Sequence, residues 1–220
     1  MKYIFISELI QFIVSLSVFI YGFSHFFKRG KALYLQIITF VFASNAIGCL
    51  CNICQIVTVK EIYNGFNISY LSQMSCFLAL LTANFGQIDG LLDDGSKSMR
   101  KSRILALLAP FTCLLILVPN LYQENTLIFK ISYTVMWIPA ILSSYYNLKH
   151  FLIPDMGFGF VKAIRPYNLM AVVYTFLKLI YLTFISLNPS FILIILSTLI
   201  ATVDIMLIVS VKKGVEKWTI

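Results

Sequence analysis

A chain of 220 residues that is 60% hydrophobic and 15% aromatic, with only 12% charged residues, carries more apolar surface than a soluble domain of its size can bury. Its mean hydropathy of +0.88 suits lipid as solvent. The formal charge of +8 does not point to nucleic acid, because the basic residues cluster in short breaks between apolar runs, which is the pattern of membrane orientation.

In chain order, the first run, residues 3–27, starts directly after Lys2 and contains Glu8 and Gln11. It lacks a small-residue cleavage pattern, so it reads as a span and not as a removable leader. Glu8 lies about five residues from the start and is expected to reach the headgroups. The break Lys28-Arg29-Gly30-Lys31 leads to the second run, residues 32–58, where Asn45, Gly48, Cys49 and Asn52 share a face of roughly 100°. In the third, residues 69–92, Gln73, Leu80, Asn84 and Gln87 fall within about 40° of one another, and Asp89 lies on the opposite face, near the interface. The fourth, residues 104–122, holds Pro110 and Pro119 and is the shortest. The fifth, residues 126–148, aligns Tyr133, Trp137, Ala140, Ser144 and Asn147. After it comes the longest break, whose apolar Ile153–Phe160 segment, flanked by Lys149, Lys162 and Arg165, is expected to lie along the membrane surface. The sixth run, residues 167–187, lines up Ala171, Tyr174, Lys178 and Tyr181. Asn188-Pro189 separates it from the seventh, residues 190–211, which lines up Ser197, Ala201 and Asp204.

The fold class expected is therefore an all-α integral membrane protein, a single domain over 1–220 with seven transmembrane helices. Its orientation follows from the basic residues. Breaks one, three and five and the tail hold Lys28, Arg29, Lys31, Lys97, Arg100, Lys101, Arg103, Lys149, Lys162, Arg165, Lys212, Lys213 and Lys217, against Lys2, Lys60 and Lys130 on the other side. Thirteen against three places the N-terminus outside and the C-terminus in the cytoplasm, in a multi-pass protein of a cell membrane, expected to be the bacterial plasma membrane.

Polar groups are costly in hydrocarbon, so the aligned stripes should face the bundle interior. One reading makes them interhelical glue. The sharper reading makes Asn45, Asn52, Asn84, Gln87, Trp137, Tyr174, Lys178, Tyr181 and Asp204 the lining of a small-molecule site. Lys178 and Asp204 lie at matched depths, roughly 15 Å and 11 Å from the cytoplasmic ends of their spans, and are expected to form an ion pair.

No catalytic, cofactor or metal signature is complete. A lysine and an aspartate inside seven helices suit a retinal Schiff base and its counter-ion, but microbial rhodopsins carry the lysine on the last helix, where this chain has Asp204. The run Asp89-Gly90-Leu91-Leu92-Asp93-Asp94-Gly95 departs from the metal motif of membrane phosphatidyltransferases, with Leu91 where the first aspartate belongs. His25 and His150, at helix ends, read as surface groups, and with Asp93, Asp94 and Asp155 they lack metal-ligand spacing. Cys51 or Cys54 approaches the depth of Cys76, although unpaired packing thiols are the favoured reading.

The partners expected are the lipid bilayer, a small-molecule ligand and a separate cytoplasmic protein partner, with no nucleic acid. The function expected first is a ligand-binding or sensory module. The alternative is a small-solute transporter built as two three-helix units plus a linker helix, which is the arrangement of the SWEET sugar transporters and their PQ-loop relatives. The proline-glutamine dipeptide of those relatives is absent, and the first span has no proline to match Pro139.

Overall fold

The computed structural model describes residues 1–29, 31, 33–59, 68–85, 89–90, 93, 95–122, 127–154, 159–187 and 190–214. Gln87 and residues 155–158 of the apolar break lie outside them. Among the described residues the structure is helical, with no strand. We label the helices α1 (Lys2–Phe26), α2 (Leu33–Val59), α3 (Ile68–Asn84), α4 (Lys97–Leu121), α5 (Leu127–Leu152), α6 (Phe160–Leu187) and α7 (Ile192–Lys213). All but α3 are long and apolar enough to cross a membrane. The 17 residues of α3 reach about 25 Å at 1.5 Å each.

Proline chemistry shapes two of these helices. α4 is a 3₁₀ turn, Lys97–Met99, followed by the helices Arg100–Ala106 and Leu108–Leu121, with a break at Leu107. Pro110 has no N–H to give the carbonyl of Ala106, so the regular bonding lapses there. The crossing that the sequence places at 104–122 thus begins earlier, at Lys97. α6 also starts before the expected residue 167, because its backbone stays helical through Pro166. Buried Ile164, Tyr167 and Asn168 anchor that turn, and packing outweighs the one lost hydrogen bond.

Helix directions follow from residue contacts. Ser15 and Asn45, and Glu8 and Asn52, join α1 to α2 antiparallel. Gln11–Ser197 and Ser15–Asp204 join α1 to α7 in parallel. Tyr70–Tyr133 and Asn84–Asn147 make α3 and α5 parallel. The helices pack as a ring, α1 on α2, α2 on α3, α3 on α5, α5 on α6, α6 on α7 and α7 on α1. α4 lies outside this ring against α5 and α6, fastened by Asn120 to Thr183 at 2.9 Å and to Ser186 at 2.6 Å.

Large side chains such as Ile13, Ile20, Phe40, Phe111, Leu115, Ile138 and Ile195 point outward and are exposed on the protein surface. An apolar belt of this extent is stable only in lipid, where the satisfied helical backbone is also at home. The chain is a helical, multi-pass membrane protein. Its five cysteines are free: Cys49, Cys76 and Cys113 are buried, Cys51 is half-buried and Cys54 is exposed. The apolar break departs from the surface-lying expectation where it is described: Ile153 and Val161 are buried with Met99, and Arg165 donates to the Ile153 carbonyl at 2.8 Å. The carbonyl freed at the end of α5 gains a charged donor there.

Candidate functional site

Inside the ring the predicted stripes converge, and they do so as two hydrogen-bonded strings. The first spans α1, α2, α6 and α7. Glu8, Gln11 and Ser15 recur at helical spacing on α1 and are fully buried, as are Asn45 on α2, Lys178 on α6 and Asp204 on α7. Lys178 Nζ donates to Gln11 Oε1 at 2.6 Å and to Asn45 Oδ1 at 2.7 Å. Gln11 Nε2 donates to Ser197 Oγ at 2.8 Å, and Asn45 Nδ2 to Ser15 Oγ at 2.7 Å. Ser15 in turn donates to Asp204 Oδ2 at 2.6 Å. Glu8 Oε1 accepts from Tyr181 at 2.8 Å and from Asn52 at 3.1 Å.

The expected ion pair is therefore corrected. No nitrogen–oxygen contact within 4.0 Å joins Lys178 to Asp204, and the route between them runs through Asn45 and Ser15. Lys178 instead lies between two carboxylates, its charge acting on both Glu8 and Asp204, with the ammonium 5.4 Å from the Tyr181 ring centroid. The physical reason is reach: amides on α1 and α2 stand nearer to the ammonium than α7 does, and each offers an oxygen. Glu8 is a second correction. It is 1% exposed and does not extend to the headgroups, because Asn52 and Tyr181 supply donors inside the bundle. One oxygen of each carboxylate, Glu8 Oε2 and Asp204 Oδ1, has no hydrogen-bond partner. Such buried acceptors are unusual enough to mark a place where water, a proton or a polar ligand belongs.

The second string lies at the basic end of the bundle. Asn84 on α3 donates to Asn147 on α5 at 2.6 Å and to Asn168 on α6 at 3.1 Å. Its Oδ1 faces His150 Nδ1 at 3.1 Å, and His150 Nε2 faces Asp89 Oδ1 at 2.9 Å. Lys149 pairs with Asp89 and, at 3.2 Å, with Asp93. Arg103 of α4 grips Asp93 with two nitrogens, Nη2 to Oδ1 at 2.7 Å and Nε to Oδ2 at 2.9 Å. Hydrogen bonds from Arg103 hold the Asp93 carboxyl well below the usual carboxylate range against a smaller opposing effect of burial, with help from the Gly95 N–H and Lys149.

Two surface expectations fail here. His150 is fully buried, and Asp89 turns inward to it. The spacing of Asn147 and His150, three apart on α5, was the available signal for the histidine.

Of the expected ligand-binding residues, Asn45, Asn52, Lys178, Tyr181 and Asp204 meet in the first string. Tyr174 stands beside it, bonded to Cys76 at 3.3 Å. Asn84 belongs to the second string, and Trp137 joins neither, its buried ring lying 5.7 Å from that of Tyr133. Gln87 lies outside the described residues. A separate groove of about 660 Å³ between the start of α6 and the end of α7 is bordered by Lys162, Met170, Met206 and Lys213, and none of the expected residues lines it. Comparison with protein families, with curated proteins and with solved structures finds no match to this chain.

Proposed function

We propose that this chain is a small-solute transporter of the plasma membrane. It crosses seven times, with its N-terminus outside, and consists of two three-helix units, α1–α3 and α5–α7, joined by α4. The observation that carries the reading is that the buried polar strings run between the two units. Lys178 and Tyr181 of the second unit bond to Gln11, Asn45 and Glu8 of the first, and Asn147, His150 and Asn168 bond to Asn84. Midplane polar sites at the boundary between repeated units suit alternating access, because rocking one unit against the other exposes the site to either side.

Two further features support it. Replacing α1, α2, α3 by α5, α6, α7 maps the ring contacts onto themselves, since α3 on α5 becomes α7 on α1. The alternating helix directions gather Lys28, Arg29, Lys97, Arg100, Lys149, Lys162, Lys212 and Lys213 at one end, as a cytoplasmic face requires. A sensory module would use the same polar core with its ligand, and the division into two units is what favours transport.

The solute envisaged is small and polar, able to exchange its own donors for those that the strings now satisfy internally. Ser197→Cys, labelled in oriented vesicles by a membrane-impermeant maleimide and located by peptide mass mapping, tests the reading. Labelling from both faces is expected. Labelling from one face alone or from neither overturns transport.

A further inference from the structure

The polarity of the second string can be worked out from a backbone carbonyl. The carbonyl of Ser143 only accepts, so the group of Asn147 that approaches it at 2.7 Å is the amide nitrogen, and Asn147 Oδ1 is left as an acceptor. Asn84 must then offer its nitrogen to Asn147, which turns Asn84 Oδ1 to His150. An amide oxygen cannot donate, so His150 Nδ1 carries a hydrogen. The remaining nitrogen, Nε2, sits 2.9 Å from Asp89 Oδ1. A neutral histidine already protonated on Nδ1 would set the lone pair of Nε2 against a carboxylate lone pair at that distance. The contact is attractive only when one more proton lies between the two atoms.

We propose that His150 and Asp89 form a proton-binding site whose single proton fastens α3 to α5 at the basic end of the bundle. Asn84 and Asp89 come from α3 and the residues after it, and His150 from α5, so the fastening closes the boundary between the two units. The groups facing it are mixed in sign. Burial of His150 and the Lys149 ammonium oppose a positive charge, whereas Asp89 and Asp93 favour one. Arg103 from α4 is bound to Asp93, and the Tyr146 ring stands 6.3 Å from the imidazole. The proton is thus held chiefly by its two-sided hydrogen bond, and lengthening that bond releases it. The consequence for solute movement rests on the transporter reading: opening the basic end gives up a proton, and closing it takes one up. The protonation itself does not depend on that reading.

The chain has two histidines, His25 and His150, which makes the site spectroscopically simple. Imidazole ¹⁵N spectra of histidine-labelled protein in nanodiscs, assigned with His25→Gln, should show His150 Nδ1 protonated and the extra proton present at about pH 5, lost in one step before about pH 9. Asp89→Asn supplies an amide N–H to Nε2 and so replaces the proton by a permanent donor. Loss of that proton changes the charge of the site, so the melting temperature of the wild type should vary with pH relative to Asp89→Asn, whose own profile lacks that step. An unprotonated His150 Nε2 beside an ionised Asp89 at about pH 5, or parallel wild-type and Asp89→Asn profiles, overturns the site. Neither result bears on whether Ser197→Cys is reached from both faces.

Discussion

The two polar strings solve the same problem by different means. Midway along the bundle, one ammonium reaches Asp204 through Asn45 and Ser15 and acts on Glu8 by its charge, and apart from half-buried Asn52 the members named are buried. At the basic end, Lys149, Asp89, Asp93 and Arg103 pair directly, and Arg103 and Asp89 keep some exposure. The difference follows depth. Near water an ion pair can form with little desolvation, whereas deep in hydrocarbon each charge is better stabilised by several dipoles that need not themselves be charged. The deep string should accordingly be brittle and the shallow one forgiving.

The sharpest way to break that contrast is Lys178→Met. Removing the only cation that the described residues place between Glu8 and Asp204 leaves two buried carboxylates uncompensated, and a loss of about 3–5 kcal/mol is expected in detergent thermal unfolding. Adding Glu8→Gln should recover part of it, and a double mutant no more stable than Lys178→Met would show that the lysine does not serve Glu8. Asn84→Ala comes next. It strands acceptors or donors on Asn147, Asn168 and His150, for an expected loss of about 1–3 kcal/mol in the same assay. Gly48→Ala sharpens the comparison from the packing side. A Cβ there would stand 2.7 Å from Gln73 Nε2, which itself bonds Asn45 Oδ1 at 3.4 Å, so a loss of about 1 kcal/mol is expected. If Gly48→Ala leaves the melting point unchanged, Gln73 is not held by the string.

The smallest effect should come from the shallow end. Asp93→Asn is expected to cost about 0–1 kcal/mol, because Arg103 is partly solvated. Its pH signature has a definite sign. The carboxyl is held below its ordinary value, so its contribution is complete above the unfolded value of about 3.9 and disappears as pH falls through the folded one. Wild type and Asp93→Asn should therefore converge in acid, and a difference that grows in acid would contradict the assignment.

Much of this was legible in the sequence wherever periodicity carries the information. The stripes of Asn45 and Cys49, Tyr133 and Asn147, Tyr174 and Lys178, and Ser197 and Asp204 do face inward, because a helix in lipid has few other places to put them. Partner choice was not legible. Nothing in the spacing of α6 and α7 says that Gln11 and Asn45 reach Lys178 before Asp204 does. Depth alone also misplaces Glu8, His150 and Asp89, because proximity to a helix end suggests exposure whereas neighbouring helices supply buried donors and acceptors.

The position of α4 carries a consequence of parity. A unit of three crossings ends on the side of the membrane opposite to where it began, so a second such unit following directly would be threaded upside down relative to the first. In the proposed two-unit reading α4 is the one additional crossing that restores the sense, in keeping with α3 and α5 running parallel. Among the described residues α4 packs mainly against α5 and α6 and shows the outward faces of Leu107, Leu108, Phe111, Leu114 and Leu115 to its surroundings. Its side chains are constrained where they meet the rest of the bundle, at polar Ser102, Arg103, Cys113 and Asn120 and at buried Met99, Ala106, Ala109 and Leu117. On its outward face, the two-unit reading asks of α4 only a single odd passage, which many hydrophobic sequences can satisfy.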